Sequence, residues 1–225
     1  MAVVLHTTYG DLPILLNFTE CPRTCYNFLA LCASGYYNKC RFYRHIPGVL
    51  LQTGDPINSG KGGSSIFARY PATASSSVPT DSETGSGNPR KTGLVSINAP
   101  QSFFEDEGFG LTFHRARGVL SMAHKGARGD TNASQFFILS APQPGFDGMY
   151  TAFGQIDLLG CYNSQIRQVV DGNSSSSLRS GEDVLKLLED SAKANDKYIV
   201  NENNSVCIID TTVLYNPFAE GSLLA

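Results

Sequence analysis

The chain has 225 residues, 41% of them apolar and only 16% charged, with a formal net charge of −3 and a pI near 5.8. That length and apolar content suffice for one large domain with a full core. The acidic balance gives no electrostatic footprint for nucleic acid, no apolar run is long enough for a bilayer, and Met1–His6 has neither the basic nor the apolar region of a secretory signal, so a cytoplasmic or nuclear location is expected.

In chain order, Val3–His6 and Leu12–Phe18 are apolar segments joined by Thr8-Tyr9-Gly10-Asp11, which predicts a tight antiparallel hairpin. A helix follows. Pro22 suits its first turn, Cys25, Phe28, Leu29 and Cys32 form one apolar stripe, and Ser34-Gly35 ends it. The six cysteines are Cys21, Cys25, Cys32, Cys40, Cys161 and Cys207. They contain no Cys-x-x-Cys pair and have no histidine close by in sequence, so buried thiols are expected rather than a metal site.

Phe42–Asp55 then presents two apolar runs around a Pro47-Gly48 turn, with Arg44 on the first run and Gln52 on the second. Alternation across a strand pair brings both polar tips to one face, forming a groove that could hold a peptide amide. Gly54–Gly63 is polar and glycine-rich, but its spacing is wrong for a phosphate loop, and it is expected to be a flexible surface loop. From about Tyr70 to Ser102 the chain turns to serine, glycine and threonine and is expected to be an insertion, with Leu94–Ile97 as a candidate short strand.

Val119–Ala123, Gln135–Leu139 and Tyr150–Ile156 are further short strands, and 157–181, serine-rich from Asp171, is a second insertion. Ser180 is positioned to cap a second helix whose first turn carries Glu182 and Asp183, and Val206–Leu214 closes the chain as a strand. Many short strands with two helices argue for a mainly β, antiparallel barrel or sandwich. Asp106 and the carboxylates around it are expected to be a solvated turn, and His6 and His114 are isolated. Ser121 and Ser134 lack the Gly-x-Ser-x-Gly elbow of a hydrolase.

Phe42–Gly48, Gln52–Asp55, Gly118–Ala123, Ser134–Ile138 and Phe153-Gly154 together resemble the cyclophilins, the peptidyl-prolyl cis-trans isomerases of the cyclosporin-binding type. Thr24–Tyr37 and Asn216–Ala219 look most like their small single-domain, spliceosome-associated branch, isomerase-like three. The resemblance implies a closed eight-stranded antiparallel barrel capped by two helices, a single domain over 1–225 interrupted by the two insertions. It also implies isomerisation of X-Pro bonds with Arg44 as the catalytic residue. Gln52, Gln135, Phe137, Ala123, His124 and Lys125 would bind the peptide, and Val49, Leu50, Phe146 and Tyr150 fall at the remaining groove positions.

The chain departs from the family at several of these. Val49-Leu50 stand where phenylalanine-methionine is usual, His124 stands for asparagine, Gly145 for tryptophan, Phe146 for leucine and Tyr150 for histidine. Gly145 removes the expected indole, so weak or no cyclosporin binding is expected. No metal or other cofactor is implied. The expected partners are proline-containing peptides or proteins and, through the branch, splicing factors, with the chain itself a monomer. The alternative reading is a catalytically weak proline-peptide-binding or scaffold module in a nuclear RNA–protein complex.

Overall fold

A two-residue turn, Thr8-Tyr9, joins β1 (Val3–Thr7) to β2 (Gly10–Leu16), and the two strands pair from Val3↔Ile14 to Thr7↔Gly10. The hairpin is the predicted one, although β2 starts two residues earlier and ends two earlier than the apolar pattern suggests. The protein is described by a computed structural model over residues 2–69, 102–126, 128–160, 179–201, 203 and 206–219. The candidate strand at Leu94–Ile97, Cys161 and most of both expected insertions lie outside the described residues.

Helix α1 (Pro22–Ala33) begins with proline at its first turn and buries Cys25, Phe28, Leu29 and Cys32, as the stripe predicts. Its end is a Schellman motif: Gly35 adopts φ +67°, Tyr36 N–H reaches Leu31 O at 3.0 Å and Gly35 N–H reaches Cys32 O at 3.0 Å. Its start has no local cap, because Cys21 makes no side-chain capping bond and the first turn holds no acid. The missing acceptor comes from Glu107, which takes the N–H of Arg23 at 3.1 Å, the N–H of Thr24 at 2.7 Å and the Thr24 hydroxyl at 2.7 Å. A carboxylate there satisfies orphan donors and meets the positive end of the helix dipole. Glu107→Ala is expected to lower stability by about 1 kcal/mol, the usual size of a lost cap. Urea denaturation checks this, with Glu107→Gln falling between the two.

The strand pair β3 (Arg44–Ile46) and β4 (Leu50–Thr53) flanks the Pro47-Gly48 turn, which Val49 N–H closes onto Ile46 O at 2.9 Å. Gly48 takes φ +72° at the third turn position, which together with Pro47 marks a type II turn. After a single turn, α2 (Ile66–Arg69), come β5 (Val119–Met122), β6 (Phe136–Leu139) and β7 (Ala152–Ile156), then α3 (Gly181–Ser191) and β8 (Ile208–Val213). At the start of α3, Ser180 and Asp183 form a capping box, as Ser180 was expected to allow. The Arg117 guanidinium ties this helix to the sheet, bonding Glu182 at 2.9 Å and Glu189 at 2.8 and 2.9 Å.

All eight strands form one antiparallel sheet in the order β3-β4-β6-β5-β7-β2-β1-β8. The resemblance implies a closed barrel with two helices; the described residues show a curled sheet whose edges β3 and β8 share no ladder, and three helices, one of them the short α2. The segments next to these edges are linked by isolated bridges, Arg41↔Cys207 and Arg44↔Ile199, and by Phe42 N–H to Val206 O and Ile208 N–H to Cys40 O, both 2.9 Å. A strand of only three residues leaves little backbone for a full ladder. The main core lies between the sheet and both long helices, with Phe28, Phe136 and Phe153 at its centre. A smaller cluster of Leu50, Val119, Phe137, Leu139 and Ala152 lies on the other face.

Candidate active site

Period-2 alternation places the site. Phe136 and Phe137 are neighbours on β6, so Phe136 enters the main core while Phe137 turns to the smaller cluster. The ladder pairs Arg44 with Gln52 and Gln52 with Phe137, so three of the predicted residues lie side by side across three strands. Around them is a groove of about 810 Å³ lined by Arg44, Leu50, Gln52, Ala123, His124, Lys125, Gln135, Phe137, Phe146 and Tyr150.

Val49, the remaining expected residue, does not line the groove. It sits in the turn and packs, half-buried, against the smaller cluster, while its amide is used to close the turn. Ile46, which pairs with Leu50 across the ladder, takes the place at the groove wall. Val49 is expected at the groove from the resemblance, by its position after the Pro47-Gly48 turn.

The apolar end of the groove is an aromatic cup. Phe137 meets Phe146 edge-on at 5.8 Å and Tyr150 at 5.5 Å between ring centroids, and Phe146 meets Tyr150 at 5.3 Å. A Cβ on Gly145 would meet nothing within 4 Å, so the cup is open beside Phe146.

The polar wall is a chain of donors. Arg44 Nη1 donates to Gln52 Oε1 at 3.2 Å, Gln52 Nε2 donates to Gln135 Oε1 at 3.1 Å, and Gln135 Nε2 donates to the carbonyls of Gly62 at 2.7 Å and Gly60 at 3.2 Å. The Tyr43 hydroxyl also donates to Gln135 Oε1. Among the described residues no carboxylate pairs with Arg44, so its charge is available to a ligand. The loop that Gln135 grips was expected to be flexible; it is instead wound around buried Asp55. That carboxylate accepts from Ile57 N–H at 3.0 Å, Ser59 N–H at 2.9 Å and Gly62 N–H at 3.2 Å. Gly54 has φ +90°, and a Cβ there would lie 2.3 Å from Ser134 O, so only glycine lets the loop leave β4.

His124 is half-buried at the groove, 4.8 Å from the Tyr150 ring centroid, and its Nε2 bonds Asp106 Oδ1 at 2.7 Å. Asp106 is therefore not part of a solvated turn. Its carboxylate also accepts from Asn132 Nδ2 at 2.9 Å, the Asp130 N–H at 3.0 Å and the Thr151 hydroxyl at 3.1 Å. Burial pushes this carboxyl up, but the bonds from His124, Asp130 and Asn132 outweigh burial and hold it at about 2. A depressed carboxyl stabilises the fold fully above its unfolded pKa of about 4. That contribution is lost as pH falls from there through about 2. Thermal unfolding from pH 6 to pH 2 is expected to show this acid-labile component, and Asp106→Asn to reduce it.

Behind the cup, His114 is not isolated either. Its Nδ1 lies 3.2 Å from Asp147 Oδ1, its Nε2 lies 2.8 Å from Ser121 Oγ, and its ring stacks on Phe137 at 6.4 Å. Burial pulls the imidazole pKa down despite the neighbouring Asp147. Ser-His-Asp order alone does not make a hydrolase here. Ser121 is fully buried and its hydroxyl also bonds Thr151 O at 3.0 Å, so no substrate carbonyl reaches it. His6 likewise bonds Asp11 at 2.9 Å. The buried thiols behave as core groups, with burial pushing Cys21 and Cys40 each up to about 12.

Sequence reasoning missed Tyr43, Ile46, Lys61 and Phe103 as groove residues. Tyr43 precedes the first residue of β3, where alternation gives no guide, and Phe103 arrives from beyond the first insertion.

The model of the cyclophilin type peptidyl-prolyl cis-trans isomerase family matches residues 2–177 of the chain. Similar proteins include the peptidyl-prolyl cis-trans isomerase-like 3 of Gallus gallus, 38% identical over 224 residues, covering 97% of this chain and 99% of that one. The peptidyl-prolyl cis-trans isomerase 10 of Caenorhabditis elegans is 42% identical over 156 residues, covering 69% and 75%. Among solved structures, a Cryptosporidium parvum cyclophilin type peptidyl-prolyl cis-trans isomerase in the presence of the dipeptide Ala-Pro is similar with a TM-score of 0.65. It is 29% identical and covers 96% of this chain and 100% of that one.

Proposed function

The chain belongs to the cyclophilin-type peptidyl-prolyl cis-trans isomerases, and we propose that it turns X-Pro bonds with Arg44 as the group that lowers the barrier. The observation that carries this reading is a guanidinium with no carboxylate partner among the described residues, set beside an apolar cup of aromatic rings. Amide resonance gives the uncatalysed bond a barrier near ~20 kcal/mol. In the twisted transition state the prolyl nitrogen pyramidalises and gains a lone pair. A charged donor aimed there stabilises that state over both planar ground states. Arginine suits the task because its charge is permanent and its donors form a rigid fork.

Leu50, Phe137, Phe146 and Tyr150 would hold the prolyl ring and exclude water, strengthening the bond to Arg44. Gln52 and Gln135 orient that guanidinium and offer polar contacts to the flanking peptide, with Ala123, His124 and Lys125 also lining the groove. No nucleophile or proton relay is required, and a ~10⁵-fold acceleration needs only about 7 kcal/mol. Exchange spectroscopy on an Ala-Pro peptide tests the reading: wild type is expected to accelerate interconversion, and a rate equal to the uncatalysed one would overturn it. Splicing factors remain proposed partners on the likeness to the isomerase-like three branch, and co-purification of the tagged chain with them tests that separately. The isolated bridges Arg41↔Cys207 and Arg44↔Ile199, beside the two edge strands, support a further proposal, that the curled sheet closes as a barrel.

A further inference from the structure

The groove is cationic although the protein is acidic. The chain's formal net charge is −3, yet among the described residues the groove is lined by Arg44, Lys61 and Lys125 and by no aspartate or glutamate. Two carboxylates that bond lining residues are taken up by internal partners. Asp55 is fully buried and accepts the loop amides, and Asp106, 6% exposed, accepts from His124, Asn132, Asp130 and Thr151.

Both lysines are exposed at their tips but fixed at their bases. Lys61 lies between Gly60 and Gly62, the two residues whose carbonyls Gln135 holds, and its own N–H bonds Ser59 Oγ at 3.1 Å. The Lys125 N–H bonds Thr131 Oγ1 at 2.9 Å and its ammonium lies 5.3 Å from the Phe103 ring centroid. Neither forms an ion pair with a carboxylate among the described residues. The donor chain from Arg44 through Gln52 and Gln135 leads away from the aromatic cup to the Lys61 loop. The cup itself is built from Leu50, Phe137, Phe146 and Tyr150, none of them charged.

We propose that Lys61 and Lys125 form a subsite that selects substrates carrying an acidic side chain on one flank of the prolyl bond. The inference rests on the groove being the peptide-binding site described above. An extended peptide advances about 3.3 Å per residue, so the acidic residue stands a few positions from the proline. An acid on the other flank faces apolar walls and gains nothing. Surface-type pairs are individually weak, so two lysines together give about a 3–10-fold preference.

The test is a scan of Ala-Pro peptides with aspartate, alanine or lysine at each of the positions flanking the bond. Exchange spectroscopy gives kcat/KM and labelled-peptide anisotropy gives Kd. Aspartate on one flank is expected to raise kcat/KM and tighten binding about 3–10-fold over alanine, with the ratio collapsing toward one in high salt. In the K61E/K125E variant, with folding verified by circular dichroism, the same positions are expected to prefer lysine. Equal values for aspartate, alanine and lysine, a preference on both flanks, or a preference unmoved by the charge reversal would each overturn the proposal. Failure of the isomerase reading looks different, since wild type would then not accelerate even the alanine peptide, and the Kd scan would still decide the charge preference.

Discussion

Arg44→Ala is expected to lower kcat/KM on an Ala-Pro peptide by roughly 10²–10³-fold, the size of loss seen when one preorganised donor to a transition state is removed. The loss should fall mainly on kcat, because the bond to the prolyl nitrogen exists only in the twisted state. Arg44→Lys is expected to recover little. Lysine keeps the charge but not the fork that lets Nη1 donate to Gln52 while the other nitrogens face the groove. The melting temperature should barely move, since Arg44 is half-buried, its backbone keeps the pairing with β4, and its side chain gives up one bond, to Gln52 at 3.2 Å. A variant with full activity would show that the barrier is lowered by the cup alone.

Phe28→Ala is expected to be the most damaging single truncation, costing about 3–5 kcal/mol, or roughly 6–20 °C in melting temperature. Phe28 is where α1 enters the main core. Its ring meets Tyr37 at 5.5 Å, Phe136 at 5.4 Å and Phe153 at 5.2 Å, and it is completely buried. Removing it leaves a ring-sized void between a helix and two strands that are themselves fixed by main-chain ladders, so collapse cannot fill it. Phe28→Leu should be much milder. The groove lies on the opposite face of β6, so molecules that remain folded should keep their kcat. A shift below about 1 kcal/mol in urea titration would mean that α1 is not the stopper of the core.

The sequence pattern was most informative where one rule governs one element. The apolar stripe and Gly35 located α1 and its end, and period-2 alternation put Arg44, Gln52 and Phe137 on one face. It failed where a residue's role depends on a distant partner. Glu107 caps a helix 83 and 84 residues earlier in the chain, and Asp106 gathers donors from His124, Asn132 and Thr151. Read locally, those carboxylates look like a hydrated turn. His114 and Ser121 are seven apart and meet only because the chain folds back against β5. Val49, expected at the groove by resemblance, packs in the turn against the smaller cluster, and the Gly54–Gly63 loop reads as loose because nothing local announces that Asp55 is buried at its centre.

The two stretches outside the described residues share one property of their anchor points. Before and after 70–101, the Phe67 and Phe104 rings touch edge to face at 5.5 Å. Before and after 161–178, Gly181 N–H bonds Gly160 O at 3.0 Å and Glu182 N–H bonds Leu158 O at 3.0 Å. Each stretch thus departs from the framework and rejoins it at nearly the same place. Closing a loop costs only about 0.6 kcal/mol for each doubling of its length. Both positions are therefore natural splice ports. A reporter, an affinity handle or a second folded module could be grafted there, or the native stretch shortened to a few glycines, with the isomerase framework and its groove left to fold as before.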